Sequence, residues 1–221
     1  MRKLFNWVFD ESSNSNSLGN QFRQKRMIFF KKELEKLPKP IKILDVGGYE
    51  DFWINAGLND VGSIHITILN LDARETHFQN FTSVDGDATN LSKYGDNTFD
   101  IAFSNSVIEH LYNENQQRKM AKEAMRVGKN FYVQTPNKYF IIEPHYLLPY
   151  FQFLPKKTQF LILTKTKLSR LQKWTKEAAQ QYLDEILLLS KKDMQNLFPG
   201  CSLWEEKFLG MTKSFVAHNF K

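Results

Sequence analysis

Hydrophobic residues along this chain gather in short runs bounded by turn residues, and the runs alternate with stretches of helical period. "IKILDVG" is a continuous apolar run closing on an acid and a glycine, the pattern of a strand buried on both faces. "SIHITILNLD", "FTSVDGDA", "FDIAFSNS" and "KNFYVQT" repeat that pattern; the fourth follows the turn signal "YGDN" and the fifth stops at Pro136. Between them lie helical stretches. Residues 21–37 carry Phe22, Ile28, Phe29, Leu34 and Leu37 and close before "PKP"; "DFWINAG" makes a short helix ending near Gly57; residues 113–127 make another, stopped near Gly128. Two late runs, "SLWEEKFLG" and "TKSFVAHNF", meet around Gly210 as a hairpin. The rhythm predicts an α/β fold: a doubly wound, mostly parallel seven-stranded sheet with a terminal antiparallel hairpin strand.

Residues 139–187 break the rhythm. They run aromatic, then basic, then mixed helical, and suit a helical insertion or an acceptor lid. The expected organisation is therefore an N-terminal loop and basic amphipathic helix over 1–39, a ligand-binding half over 40–138, the insertion over 139–187 and the terminal strands over 188–221. Residues 10–20, rich in Ser, Asn and Gly, read as loop.

Composition narrows the class. A chain of 221 residues with 42% hydrophobic residues can bury a sizeable core as one domain. The single cysteine, Cys201, excludes an intramolecular disulfide and fits a reducing compartment. The apolar run at the N-terminus is too short and interrupted for a signal peptide, so a cytoplasmic protein is expected. The net charge of +6 is moderate, but from Lys156 to Lys176 every charged side chain is basic. That run points to a phosphorylated or lipid-linked substrate, with peripheral membrane contact, or to a solvated face.

The strand ends resemble those of class I S-adenosylmethionine-dependent methyltransferases. "ILDVGG" ends the first strand, "ILNLD" the second and "DGDA" the third. "FDIAFSNSVIEHL" covers the fourth and its exit, "NFYVQTPN" the fifth, and "SFVAH" the last. "TPN…EPHYLLP" resembles the small-molecule and glycan-pathway branch of that family. The resemblance implies S-adenosyl-L-methionine as cofactor, lodged beyond the carboxyl ends of the strands. It places Asp45, Gly47 and Gly48 at the donor's methionine moiety, Asn70 or Asp72 at the ribose hydroxyls, Asp87 and Ala88 at the adenine, and Asn105 and Ser106 beside the methyl group. Tyr49 and Asp51 depart from the family's glycine-rich loop. Both disfavour a phosphate-bearing dinucleotide more than a donor without phosphate.

His110 and His145 are the candidate bases, because a hydroxyl acceptor must lose a proton and an imidazole titrates in the useful range. Glu109 reads as structural. No compact metal-ligand spacing is visible, so no metal is expected. The expected reaction is methyl transfer, at oxygen, to a small molecule or lipid-linked saccharide, without a stable nucleic acid partner. An RNA methyltransferase and a non-catalytic scaffold of the same fold are the alternatives.

Overall fold

The computed structural model describes residues 18–221. The loop expected over residues 10–20 lies outside the described residues as far as 17, and its last three residues already belong to helix α1, Leu18–Glu35. Phe22, Met27, Phe30 and Leu34 of α1 are buried, whereas Ile28, expected on the apolar face, is exposed. The spacing of the buried set, three to five residues, selects one stripe of the helix.

Strands β1 (Ile41–Val46), β2 (Ile64–Asn70), β3 (Phe81–Asp85), β4 (Phe99–Asn105) and β5 (Gly128–Pro136) run parallel. β8 (Ser202–Phe208) and β9 (Met211–His218) form the closing hairpin through Leu209 and Gly210, both with positive φ. The sheet order is β3-β2-β1-β4-β5-β9-β8, with β9 antiparallel to both neighbours. β1 and β4 are adjacent, so the strand order reverses between them and a crevice opens at their carboxyl ends.

Period two sorts side chains to the two faces. Ile41, Ile43, Ile66 and Phe103 join Phe30 and Trp53 under α1 and the short helix α2 (Glu50–Asn55). Leu44, Val46, Ala102 and Val133 join Met120, Ala124 and Phe198 under α3 (Glu114–Val127) and the later helical segments. Asn113 caps α3 by accepting from the Gln116 amide, and Gly128 ends it. Gly128 also opens β5, because a Cβ there would meet the Ala102 backbone on β4 at 2.7 Å.

Residues 139–187 contain a two-stranded hairpin, β6 (Ile142–Glu143) with β7 (Leu148–Pro149), and the helices α4 (Lys156–Lys165) and α5 (Lys176–Glu185). They bury Tyr146, Phe151, Leu163, Ala179 and Leu183 in a cluster of their own. A last helix, α6 (Lys191–Leu197), starts from a capping box between Ser190 and Asp193 and leads into β8. Among the described residues no helix is long and apolar enough to cross a membrane.

Candidate active site

The turn after β1 is built around two glycines. Gly47 has φ of +78° and packs on Val107, leaving no room for a side chain. Gly48 faces the Asp45 carboxylate: a Cβ there would stand 1.7 Å from Oδ2. The Trp53 Nε1–H donates to that same oxygen at 2.6 Å, and Asp45 is buried. Burial raises the Asp45 carboxyl to about pH 7 against the lowering effect of the Trp53 bond. Asp45 thus faces inward, tying the glycine turn to α2.

Asn70 ends β2 and donates through Nδ2 to the Gly48 carbonyl, which leaves its side-chain carbonyl free to accept. With Gly48, Tyr49, Arg74 and Ser83 it lines a small groove. Tyr49 narrows that groove, its ring lying under the Arg74 guanidinium at 4.7 Å. Asp72 lies two residues past the strand end and is exposed, outside this groove. Asp87 is exposed and holds its own turn, accepting from the Thr89 amide at 2.8 Å, while Ala88 packs against the core.

At the exit of β4 the chain turns sharply. Ser106 has φ of +58° and donates through Oγ to the Gln134 side chain of β5 at 2.8 Å. Asn105 is half-buried at the end of β4. Val107 then seats Gly47, so the turn after β1 and the exit of β4 are in contact. The short helical turn Ile108–His110 follows.

A cavity of about 330 Å³ opens on this exit. Its walls include Ser106, Glu109 and His110 after β4, Phe140 and His145 from the insertion, and Arg26 of α1. His110 and His145, 35 residues apart in sequence, meet here with their Nε2 atoms 3.2 Å apart and their rings nearly perpendicular. Each Nδ1 is held by a carboxylate at 2.6 Å: Glu185 of α5 for His110, Glu143 of β6 for His145. Burial lowers the affinity of His145 for a proton, but the bond and charge of Glu143 outweigh it, and the net shift is upward. Glu109 is fully buried; burial raises its carboxyl despite the two histidines and the Thr135 bond.

Both histidines singled out in the sequence therefore converge on one cavity. The cluster of Glu109, His110 and His145, whose potential ligand atoms all lie within 4.8 Å of one another, is not visible as a motif. Glu109 adjoins His110, but the third member sits on the insertion. The carboxylates Glu143 and Glu185 belong to the site as well. The spacing Glu143-x-His145 was the only signal for the first, and nothing in sequence pointed to the second.

On the far side of the cavity Arg26 of α1 and Glu206 of β8 make a buried pair, with both carboxylate oxygens 2.9 Å from Nη1. Ser214 donates to the same carboxylate at 2.9 Å.

A family profile described as "Methyltransferase domain" matches residues 55–130, the stretch from α2 to the start of β5. Solved methyltransferase structures superpose on nearly the whole chain. The fold is that of S-adenosylmethionine-dependent methyltransferases. The N-terminal domain of EvdMO1, solved in the presence of SAH and D-fucose, matches 99% of this chain and 93% of its own at 14% identity, with a TM-score of 0.54. A SAM-dependent methyltransferase from Methanosarcina mazei matches 84% of this chain and 94% of its own at 14% identity, with a TM-score of 0.51. The CurJ carbon methyltransferase matches 98% of this chain at 10% identity with a TM-score of 0.57; the chain spans 56% of that longer polypeptide. No curated protein matches the chain in sequence. The groove at Gly48 and Asn70 lies at the carboxyl ends of β1 and β2, and the larger cavity lies beyond β4.

Proposed function

We propose that this chain transfers the S-methyl group of S-adenosylmethionine to an oxygen of a small polyhydroxylated acceptor, a saccharide or lipid-linked saccharide. The donor's methionine end lies over Gly47 and Gly48, a ribose hydroxyl donates to the Asn70 side-chain carbonyl, and its methyl group projects past Asn105 and Ser106 into the cavity. Asp87 and Ala88 border the adenine end.

The observation that carries the reading is the His110–His145 pair, 3.2 Å apart in a cavity wide enough for one sugar-sized ring. Direct displacement at a sulfonium needs alignment above all. A hydroxyl acceptor must also shed a proton, and the pair is the group placed to promote that loss. Arg170, bonded only to the neutral carbonyls of Pro144 and His145 among its hydrogen bonds, keeps a positive charge on the cavity wall that suits a phosphorylated acceptor. Exposed Leu161, Leu168 and Leu171 among the lysines of the insertion suit one that carries a lipid. The saccharide reading is in keeping with D-fucose in the EvdMO1 crystals.

A methyl-labelled donor incubated with the protein and fractionated cell extract tests this. Label should enter small or lipid-extractable molecules and resist mild base, as an ether does. Label confined to RNA and released by nuclease would replace the reading with an RNA methyltransferase. No transfer to any fraction, with donor bound, would leave a scaffold.

A further inference from the structure

We propose that Glu109, His110 and His145 form a binding site for one divalent transition-metal ion, with coordination positions open toward the cavity. The first argument is the placement of lone pairs. Glu143 and Glu185 accept from the Nδ1–H groups of the two imidazoles, which aims the Nε2 of each ring toward the other. Two Nε2 atoms facing at 3.2 Å call for a cation between or beside them, either a shared proton or a metal ion. The second argument is the distance. Two nitrogens each ~2.05 Å from a common ion, at an angle of roughly 100–105°, are ~3.2 Å apart, so the pair already has the bite of a chelate.

The third argument is Glu109. It is fully buried, and although Thr135 donates to Oε2 at 3.0 Å, its Oε1 has no hydrogen-bond partner. A buried carboxylate oxygen without a partner costs free energy that a metal bond would recover. A proton shared by the two imidazoles would relieve their repulsion and leave this oxygen unsatisfied. A divalent ion answers both. The charges agree: Glu109, Glu143 and Glu185 surround two imidazoles, while the Arg170 guanidinium donates to the carbonyls of Pro144 and His145.

Two imidazoles and one carboxylate select Zn²⁺, Fe²⁺, Co²⁺ or Mn²⁺ over Mg²⁺ and Ca²⁺, which take oxygen sets. Each histidine is oriented by a carboxylate behind it, the usual outer partner of a ligating imidazole. Three protein ligands leave positions for the acceptor. An acceptor hydroxyl bound there becomes more acidic: its proton goes to solvent, the oxygen forms a bond to the methyl carbon, and the carbon–sulfur bond breaks to release the thioether. This last role rests on the methyltransferase reading; the binding of metal does not.

The test uses untagged full-length protein stripped with chelator and dialysed, then titrated with Co²⁺ and Zn²⁺ by calorimetry and by visible absorption of the Co²⁺ form. One equivalent should bind, with cobalt d–d bands showing nitrogen and oxygen ligation. His110→Ala and His145→Ala should each abolish stoichiometric binding, and Glu143→Gln, which acts through His145, should weaken it about 10–100-fold. Glu109→Gln should shift the cobalt spectrum, and His77→Ala, an exposed histidine paired with Glu50 and outside the cavity lining, should change nothing. Thermal unfolding of each variant separates lost ligation from lost folding, and the wild-type titration stands without any variant. Absence of a stoichiometric site in the folded wild-type protein overturns the proposal, as does binding that survives loss of both histidines. Donor affinity measured separately keeps the two readings apart. Bound metal without methyl transfer leaves the site and removes its role in transfer; full transfer by metal-free protein does the same.

Discussion

Trp53 on α2 reaches back to the end of β1 and donates to Asp45 at 2.6 Å, across the turn that carries Gly47 and Gly48. The carboxylate is pressed on one side by the indole and on the other by the Cα of Gly48. This contact, rather than a run of glycines, fixes the loop. It explains how Tyr49 and Asp51 occupy positions where related loops carry small residues.

Gly48→Ala should be severely damaging. The new methyl would stand 1.7 Å from the Asp45 carboxylate, which would have to leave its place and give up the Trp53 bond. Chemical denaturation should show a loss of about 3 kcal/mol or more, on the scale of the worst core substitutions. An unchanged midpoint would mean that Asp45 swings freely, contrary to its buried bond.

The Asp45 carboxyl is raised to about 7 in the folded protein against about 3.8 when exposed. A group so raised stabilises the fold fully below its unfolded pKa, and that contribution fades as pH climbs through the folded value. Between pH 5 and pH 8 the loss should amount to roughly 2–3 kcal/mol. Asp45→Asn keeps a carbonyl for Trp53 and cannot ionise, so its stability should be flatter over that window. Parallel curves for wild type and variant would show that the raised pKa is absent.

Asn70 and Asp72 divide cleanly in structure. Asn70→Ala removes the groove's strand-end acceptor and the tie to Gly48, and should weaken donor binding by about 1–3 kcal/mol in calorimetry. Asp72→Ala, on the exposed side, should change affinity by less than about 0.5 kcal/mol. The reverse order would return the ribose contact to Asp72.

The Arg26–Glu206 pair should punish single substitutions. Glu206→Gln leaves a buried guanidinium short of its counter-charge, and a loss of about 3–5 kcal/mol is expected. Arg26→Met with Glu206→Leu should recover most of it, since removing both charges removes the desolvation cost along with the attraction. A double variant as unstable as the single one would assign the loss to packing.

The sheet was legible in sequence because each strand end combines an apolar run with a punctuating acid, glycine or proline. "ILDVGG", "FDIAFSNS" and "KNFYVQTP" fall on β1, β4 and β5 within a residue or two. The boundary at Gly128 differed: a residue expected to terminate a helix also begins a strand, a close-packing requirement that no periodicity encodes. The site was legible by halves. His110 and His145 stood out as titratable residues at loop positions, but their meeting depends on the tertiary seating of residues 139–187. Glu185 lies within an ordinary amphipathic helix, where an acid at a polar position carries no signal of its own. Glu109 looked structural beside His110, and only its buried, unpartnered oxygen distinguishes it.

The insertion has its own hydrophobic cluster, and from it come His145 and both carboxylates that steady the histidine pair. A unit with a separate core opens at lower free energy than the sheet it rests on. Every such opening would part His145 from His110 and withdraw Glu185 from behind it, while the turn at Gly48 and the strand ends stayed intact. The cavity is therefore walled by two pieces of the chain, one from the sheet and one from the insertion. Loosening of the insertion would thus dismantle the histidine pair and leave the glycine turn after β1 as it is.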